Sequence, residues 1–250
     1  MSYIRIIPRI DIKDKDVIKS ICFEGVRIVG KPACLIKKYF QQGADEIVYI
    51  DLVASLYQRS FDFDQLAQAS KGLFVPLTAG GGIRSVSDIK KILRSGADKV
   101  AINTGAVTKP DLIKKAVAAF GSQCIVLSVE AKKIFYDRWE VYTDAGRQKT
   151  GIDVIDWIKR MQDYGVGEIL LSSVDNEGLK TGYETNLLKR VRPFCRVPLI
   201  IHGGAGKPID LKEGLKCGAD AVCAASIYHY NLYTVGQIKK YLKSEGFAIR

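Results

Sequence analysis

The feature that most constrains the fold of this 250-residue chain is a segment written twice. Leu77-Thr78-Ala79-Gly80-Gly81-Gly82-Ile83-Arg84 runs an apolar strand pattern into three glycines, and Leu199-Ile200-Ile201-His202-Gly203-Gly204-Ala205-Gly206 repeats it. Gly203 lies 122 residues after Gly81, and the same offset relates Gly96-Ala97-Asp98 to Gly218-Ala219-Asp220 and Asn103-Thr104 to Ala225-Ser226. An offset held constant through strand, glycine turn, helix and following strand means one supersecondary unit built twice.

The rest of the chain extends that unit. Strand patterns are predicted at residues 4–12, 46–52, 75–79, 99–103, 124–130, 168–172, 197–202 and 221–225. Helical periodicity is predicted at 32–42, 63–71, 85–95, 110–120, 153–164, 185–191, 209–216 and 233–245, a polar loop at 13–31, and a hairpin insertion rich in Tyr, Trp and Thr at 135–144. Strands separated by single helices pair in parallel through crossovers. Eight such units in two matching halves predict an α/β chain folded as a (β/α)8 TIM barrel, one domain over 1–250 with half-barrels of about 1–122 and 123–250. The competing architecture, an open doubly wound sheet, lacks its G-x-G-x-x-G fingerprint here because the glycines are consecutive.

Composition narrows the class. With 47% apolar and 26% charged residues, the chain reads as a soluble globular protein. Arg5 and Arg9 interrupt the amino-terminal apolar run, which argues against a signal peptide, and no stretch is long enough to span a membrane. The six cysteines contain no CxxC pair, which argues against a zinc site and fits reduced thiols in a cytoplasm. Neither metal nor cofactor is expected. The net charge of +11 favours anionic ligands such as phosphates or an acidic protein face, although a lysine-rich solvated surface accounts for it equally. Its cations are spread along helices (Lys90, Lys91, Arg94; Lys239, Lys240, Lys243) instead of forming a block interleaved with aromatics, which counts against nucleic acid.

In a barrel, the carboxyl ends of the strands carry the chemistry. Asp11, Asp51, Gly81-Gly82, Asn103-Thr104, Glu130, 175–178, 202–204 and Ser226 fall there. The two glycine turns, each followed one strand later by a small polar end, expose backbone N–H groups where phosphates bind. Two such cradles facing each other suggest a ligand with two phosphates. Asp11 and Glu130 end the first strands of the two halves, and paired carboxylates divide acid and base roles when their environments differ. His202 is a candidate general acid or phosphate contact, whereas His229, between Tyr228 and Tyr230, reads as a packing residue. Arg5, Glu46, Lys99 and Glu168 begin strands and are predicted to ring the opposite end as a plug or a gate.

These residues resemble a known family. Pro8 with Asp11, Lys19, Gly43-Ala44-Asp45-Glu46, Gly80-Gly81-Gly82-Ile83-Arg84, Ile102-Asn103, Phe120-Gly121-Ser122-Gln123, Gly167-Glu168-Ile169-Leu170-Leu171, Gly203-Gly204-Ala205-Gly206-Lys207 and Ala224-Ala225-Ser226 are similar to the HisF family, the cyclase subunits of imidazole glycerol phosphate synthase. The resemblance covers the whole chain. It implies a half-barrel duplication, a lyase activity in histidine biosynthesis, and a glutaminase (HisH-like) partner at the barrel bottom. Ammonia from that partner would pass a gate of Arg5, Glu46, Lys99 and Glu168 to a bisphosphate substrate at the top. There it would form an imine at a ketone, and carboxylates would move protons as the ring closes and aminoimidazole carboxamide ribotide leaves. By position, Asp11 and Glu130 would be catalytic, Lys19 would lie in a loop closing on substrate, and Gly82, Asn103, Thr104, Gly178, Gly204 and Ser226 would contact phosphate.

The departures from the family pattern cluster at the mouth. The second catalytic aspartate is Glu130, a first-strand cysteine is Arg9, the Asp-Gly before the second phosphate turn is Glu177-Gly178, the serine before the seventh-strand glycines is His202, and a threonine is Val53. Glu130 adds one methylene, and displacement of a catalytic group by about 1 Å can cost a hundredfold in rate. Arg9 shares the inward face with Asp11, and a guanidinium favours the anionic form of an adjacent carboxylate, which disfavours proton donation. Three readings follow: the family's cyclase; a paralogue supplying ammonia for another amination, such as amidino-sugar synthesis for surface lipopolysaccharide; or a non-catalytic barrel that binds phosphate and conducts ammonia.

Overall fold

The computed structural model describes residues 3–250. The first half runs β1 (Arg5–Lys13), β2 (Asp16–Ile21), β3 (Glu24–Gly30), α1 (Pro32–Gln41), β4 (Ile47–Asp51), α2 (Phe63–Ala69), β5 (Leu77–Gly80), α3 (Val86–Arg94), β6 (Lys99–Ile102), α4 (Thr104–Thr108) and α5 (Asp111–Phe120). The second runs β7 (Ile125–Phe135), β8 (Arg138–Thr143), β9 (Gln148–Asp153), α6 (Val154–Asp163), β10 (Glu168–Ser173), α7 (Thr185–Val191), β11 (Leu199–His202), α8 (Pro208–Lys216), β12 (Ala221–Ala224), α9 (Ser226–His229) and α10 (Val235–Ser244).

Eight strands close on themselves by parallel pairing in the order β1, β4, β5, β6, β7, β10, β11, β12, with β12 returning to β1. This is a (β/α)8 barrel. Two apolar layers hold it. Ile7, Val48, Val126, Leu170 and Ile200 fill the interior, each at most 1% exposed. Alternate residues such as Ile6, Ile10, Ile47 and Tyr49 face outward and pack under the helices. Full burial of side chains of this kind contributes roughly 1.5–3 kcal/mol each, so the scaffold is rigid enough to aim its mouth residues.

The repeat is visible bond by bond. β5 and β11, α3 and α8, and β6 and β12 have bounds that differ by the same offset read from the sequence. Asp98 accepts a hydrogen bond from Leu77 N and Asp220 from Leu199 N, both at 2.8 Å. The recurrent Gly-Ala-Asp thus has a purpose: the glycine turns the chain in the left-handed region after a helix (φ +103° at Gly96, +100° at Gly218), and the aspartate ties the start of the neighbouring strand. Asp45 does the same for Ile6 N at 2.9 Å.

Two expectations need correction. Residues 13–31 are not a loop: β2 and β3 form an antiparallel hairpin that continues β1 over the mouth. The insertion predicted at 135–144 is larger, an antiparallel β7–β8–β9 meander reaching Asp153. Both excursions leave the first strand of their half and roof the carboxyl end of the barrel. Beneath them Ile18, Phe23, Leu52, Ala145 and Val174 make a small apolar cluster of their own. Among the described residues, no helix is long and apolar enough to cross a membrane.

Candidate active site

A cavity of about 410 Å³ opens at the carboxyl ends of β1, β4, β5, β6 and β7. Gly82, Asn103, Thr104 and Glu130, all expected from the sequence, line it together with Arg9 and Asp51. The first cradle is shaped by backbone that favours glycine. Gly81 and Gly82 have φ of +111° and +65°, and a Cβ on Gly81 would stand 2.2 Å from Asp51 O. Asn103 then starts α4, whose first internal hydrogen bonds are donated by Ala106 N and Val107 N to Asn103 O, so the N–H groups of Thr104 and Gly105 have no helical acceptor.

The second cradle repeats this backbone. Gly203 and Gly204 have φ of +98° and +108°, and Tyr228 N and His229 N donate to Ala225 O at the start of α9. β5 and β11 stand four places apart in the eight-strand ring, as do β6 and β12, so the cradles face each other across the mouth. Their surroundings differ. Gly82 opens on the cavity, whereas Gly204 lies under the loop after β10: its carbonyl accepts from Gly182 N at 2.9 Å, and Asn176 Nδ2 donates to Gly182 O at 3.0 Å. Ser226 is buried and, like Gly204, lies outside the cavity wall.

β1 and β7 are likewise four places apart, which sets Asp11 opposite Glu130. Glu130 Oε2 accepts from Gly146 N at 2.8 Å, in a turn where Asp144, Ala145 and Gly146 all have positive φ. Packing around the carboxyl pushes its pKa up to about 7, against the pull of that N–H, of Arg9 and of Asn103. Asp51, bonded to Arg59 at 3.0 Å, is also raised by burial, to about 6.

Asp11 does not reach the cavity wall. Arg9 Nε donates to its Oδ1 at 2.7 Å, Oδ2 has no partner among the described residues, and the residue is fully buried. Arg9 Nη1 lies 3.3 Å from both Ser172 Oγ and His202 Nδ1. Burial first, and then the Arg9 and Lys19 charges, hold His202 well below the usual imidazole range. It is therefore an uncharged acceptor for Arg9 and has no acidic proton to give at neutral pH. His229 packs as expected, with Nδ1 2.6 Å from Tyr39 Oη.

Lys19 and Glu177, both expected at substrate, are paired with each other. The Lys19 ammonium forms a buried ion pair with Glu177 Oε1, and Glu177 Oε2 accepts from Phe23 N at 2.9 Å and from Ser20 Oγ at 3.2 Å. Burial lowers Lys19 to about 8, offset in part by Asp11. Gly178 takes φ +78° directly beneath the β2–β3 hairpin, where a Cβ would meet Ser20 O at 2.3 Å.

At the opposite end the four charged strand starters form one closed ring. Arg5 bridges Glu46 (2.6 Å) and Glu168, while Lys99 bridges the same two carboxylates at 2.9 Å each. Thr78 Oγ1 donates to the remaining oxygen of Glu46 at 2.6 Å. Sequence reasoning missed Arg59 and the 144–146 turn, which carried no signal, whereas Arg9, read at the mouth from its inward register on β1, lines the cavity.

A closed eight-strand barrel with a cavity at the carboxyl ends of its strands defines the class of (β/α)8 barrel enzymes. A family model described as "Histidine biosynthesis protein" matches residues 5–234, and the chain belongs to that family. It is similar to proteins named imidazole glycerol phosphate synthase subunit HisF. These share 46% identity in Dictyoglomus thermophilum, over 98% of both chains, and 43% in Dehalococcoides mccartyi, over 98% of this chain and 97% of the relative. A third, from Dictyoglomus turgidum, is 45% identical, again over 98% of both.

Proposed function

We propose that this chain is a synthase subunit of the HisF type, a lyase of histidine biosynthesis acting in the cytoplasm. It uses ammonia on a bisphosphate substrate and releases imidazole glycerol phosphate and aminoimidazole carboxamide ribotide. The observation that carries this reading is the alignment, on one barrel axis, of two opposed cradles at the mouth and a ring of alternating charges at the base. The relatives' names favour it over the polysaccharide and non-catalytic readings.

The cradles anchor the two phosphates through Gly82, Asn103 and Thr104 on one side and Gly178, Gly204 and Ser226 on the other. Glu130, poised near neutrality, gives and takes protons as ammonia adds to the ketone and the ring closes; Asp11, opposite it, acts through the Arg9 guanidinium that it holds. Lys19, Glu177 and His202 complete the substrate side by fixing the hairpin and Arg9. Arg5, Glu46, Lys99 and Glu168 gate ammonia from a glutaminase (HisH-like) subunit. The base also exposes Tyr3 (64%) and Phe74 (85%), apolar surface suited to such a partner.

The test is turnover of the family's bisphosphate substrate with excess ammonium salt, which bypasses the partner. Product formation is expected, and its absence in folded protein refutes the reading.

A further inference from the structure

We propose that Arg9 is the electrophilic group of this site, donating from Nη2 to the carbonyl oxygen of the substrate ketone and to the oxyanion that develops there. The assignment rests on the reading above, in which ammonia adds to a ketone. Arg9 projects inward from β1, between the packed interior at Ile7 and the open mouth. It is 2% exposed and held on three sides: Asp11 takes Nε, Ser172 and His202 face Nη1, and the Phe23 ring lies 5.7 Å from Cζ. Nη2 has no hydrogen-bond partner among the described residues, and Arg9 forms part of the cavity wall while Asp11 does not. The donor that Asp11 orients, not Asp11 itself, therefore meets the ligand.

The charge balance fits a neutral oxygen that becomes charged. Asp11 already pairs with the guanidinium, so a ground-state anion is not required, but an N–H edge already fixed in place gains strength as negative charge grows on its acceptor. In the step proposed, the ammonia lone pair forms the C–N bond and the carbonyl π pair moves to oxygen, where Arg9 stabilises it. Glu130, on the same cavity wall, protonates that oxygen and recovers a proton from nitrogen, giving the carbinolamine. A second proton passes the same way as water leaves and the imine forms. Asp11, Ser172 and His202 are positioning residues for Arg9.

Two measurements test this. In ammonium-driven turnover, Arg9→Met is expected to lower kcat by about 100-fold or more with KM changed by less than about threefold, and guanidinium salts should partly restore an Arg9→Ala variant. In binding, the whole chain is titrated with pentitol 1,5-bisphosphates that carry or lack a carboxylate at C2, the carboxylate standing in for the oxyanion. Wild type should favour the carboxylate form by about tenfold or more, and Arg9→Met should not. If Arg9→Met loses the fold, Arg9→Gln carries the same comparisons. An Arg9→Met kcat within about threefold of wild type, or a wild type indifferent to the carboxylate, overturns the proposal. A wild type that is silent in turnover yet shows the Arg9-dependent preference refutes the cyclase reading and leaves the Arg9 contact standing.

Discussion

Glu130 sits where its extra methylene and its surroundings act together. The longer side chain reaches the N–H of Gly146, and the packed protein around it raises its pKa from the ordinary 4.5 to about 7. Because the folded pKa lies above the unfolded one, its contribution to stability is full below about pH 4.5 and is lost as pH rises through about 7. Glu130→Gln should therefore leave the melting temperature nearly unchanged at pH 5 but raise it at pH 8.5. The cavity wall admits water, which keeps the gain near 1 kcal/mol, or about 2–4 °C for a chain of this size by calorimetry. The same variant should lose about 100-fold to 10,000-fold in ammonium-driven kcat, as expected when a proton shuttle is removed. Arg9 and Glu130 were legible in the sequence as departures from a family pattern on inward-facing positions. The Lys19–Glu177 pair was not, because nothing local links residues 158 apart until the barrel brings the hairpin over the loop after β10.

The β2–β3 hairpin shows why some elements escape sequence reading. In β2, Val17, Ile18, Lys19 and Ser20 are all buried, so no in–out alternation marks the strand, and β3 is largely exposed. α4 and α9, of five and four residues, are too short to show helical periodicity. Helices with a long apolar stripe, such as α3 and α6, were legible to within a residue or so of their ends. The hairpin is fastened chiefly by Glu177, which takes Lys19, Ser20 and Phe23 at once. Lys19→Met leaves that carboxylate buried and unpaired, and denaturant titration should show a loss of about 3–5 kcal/mol. Amide exchange across residues 16–30 should quicken more than in the barrel strands. Combining it with Glu177→Gln should recover a large part of the loss, since the amide still accepts from Phe23 N without carrying a charge.

At the scale of the whole molecule, the barrel separates a ring of paired charges at its base from the cavity at its mouth. The four-charge base ring is internally neutral and fully paired, so opening it means breaking ion pairs rather than moving one side chain. Lys99→Ala removes two of those pairs and should alter glutamine-driven turnover of the assembled complex while leaving ammonium-driven turnover of the barrel alone within about twofold. Equal effects in both assays would show that the ring only braces the barrel. The two-part build of the barrel reaches further than its symmetry. Arg9, Asp11 and Glu130 stand on β1 and β7, the strands from which both roofing excursions grow, whereas the cradles stand on β5, β6, β11 and β12. On the proposed function, binding and chemistry are thus inherited through different stretches of chain. A duplicated gene of this design can retool its chemistry at the head of each copy while keeping the handle it already owns.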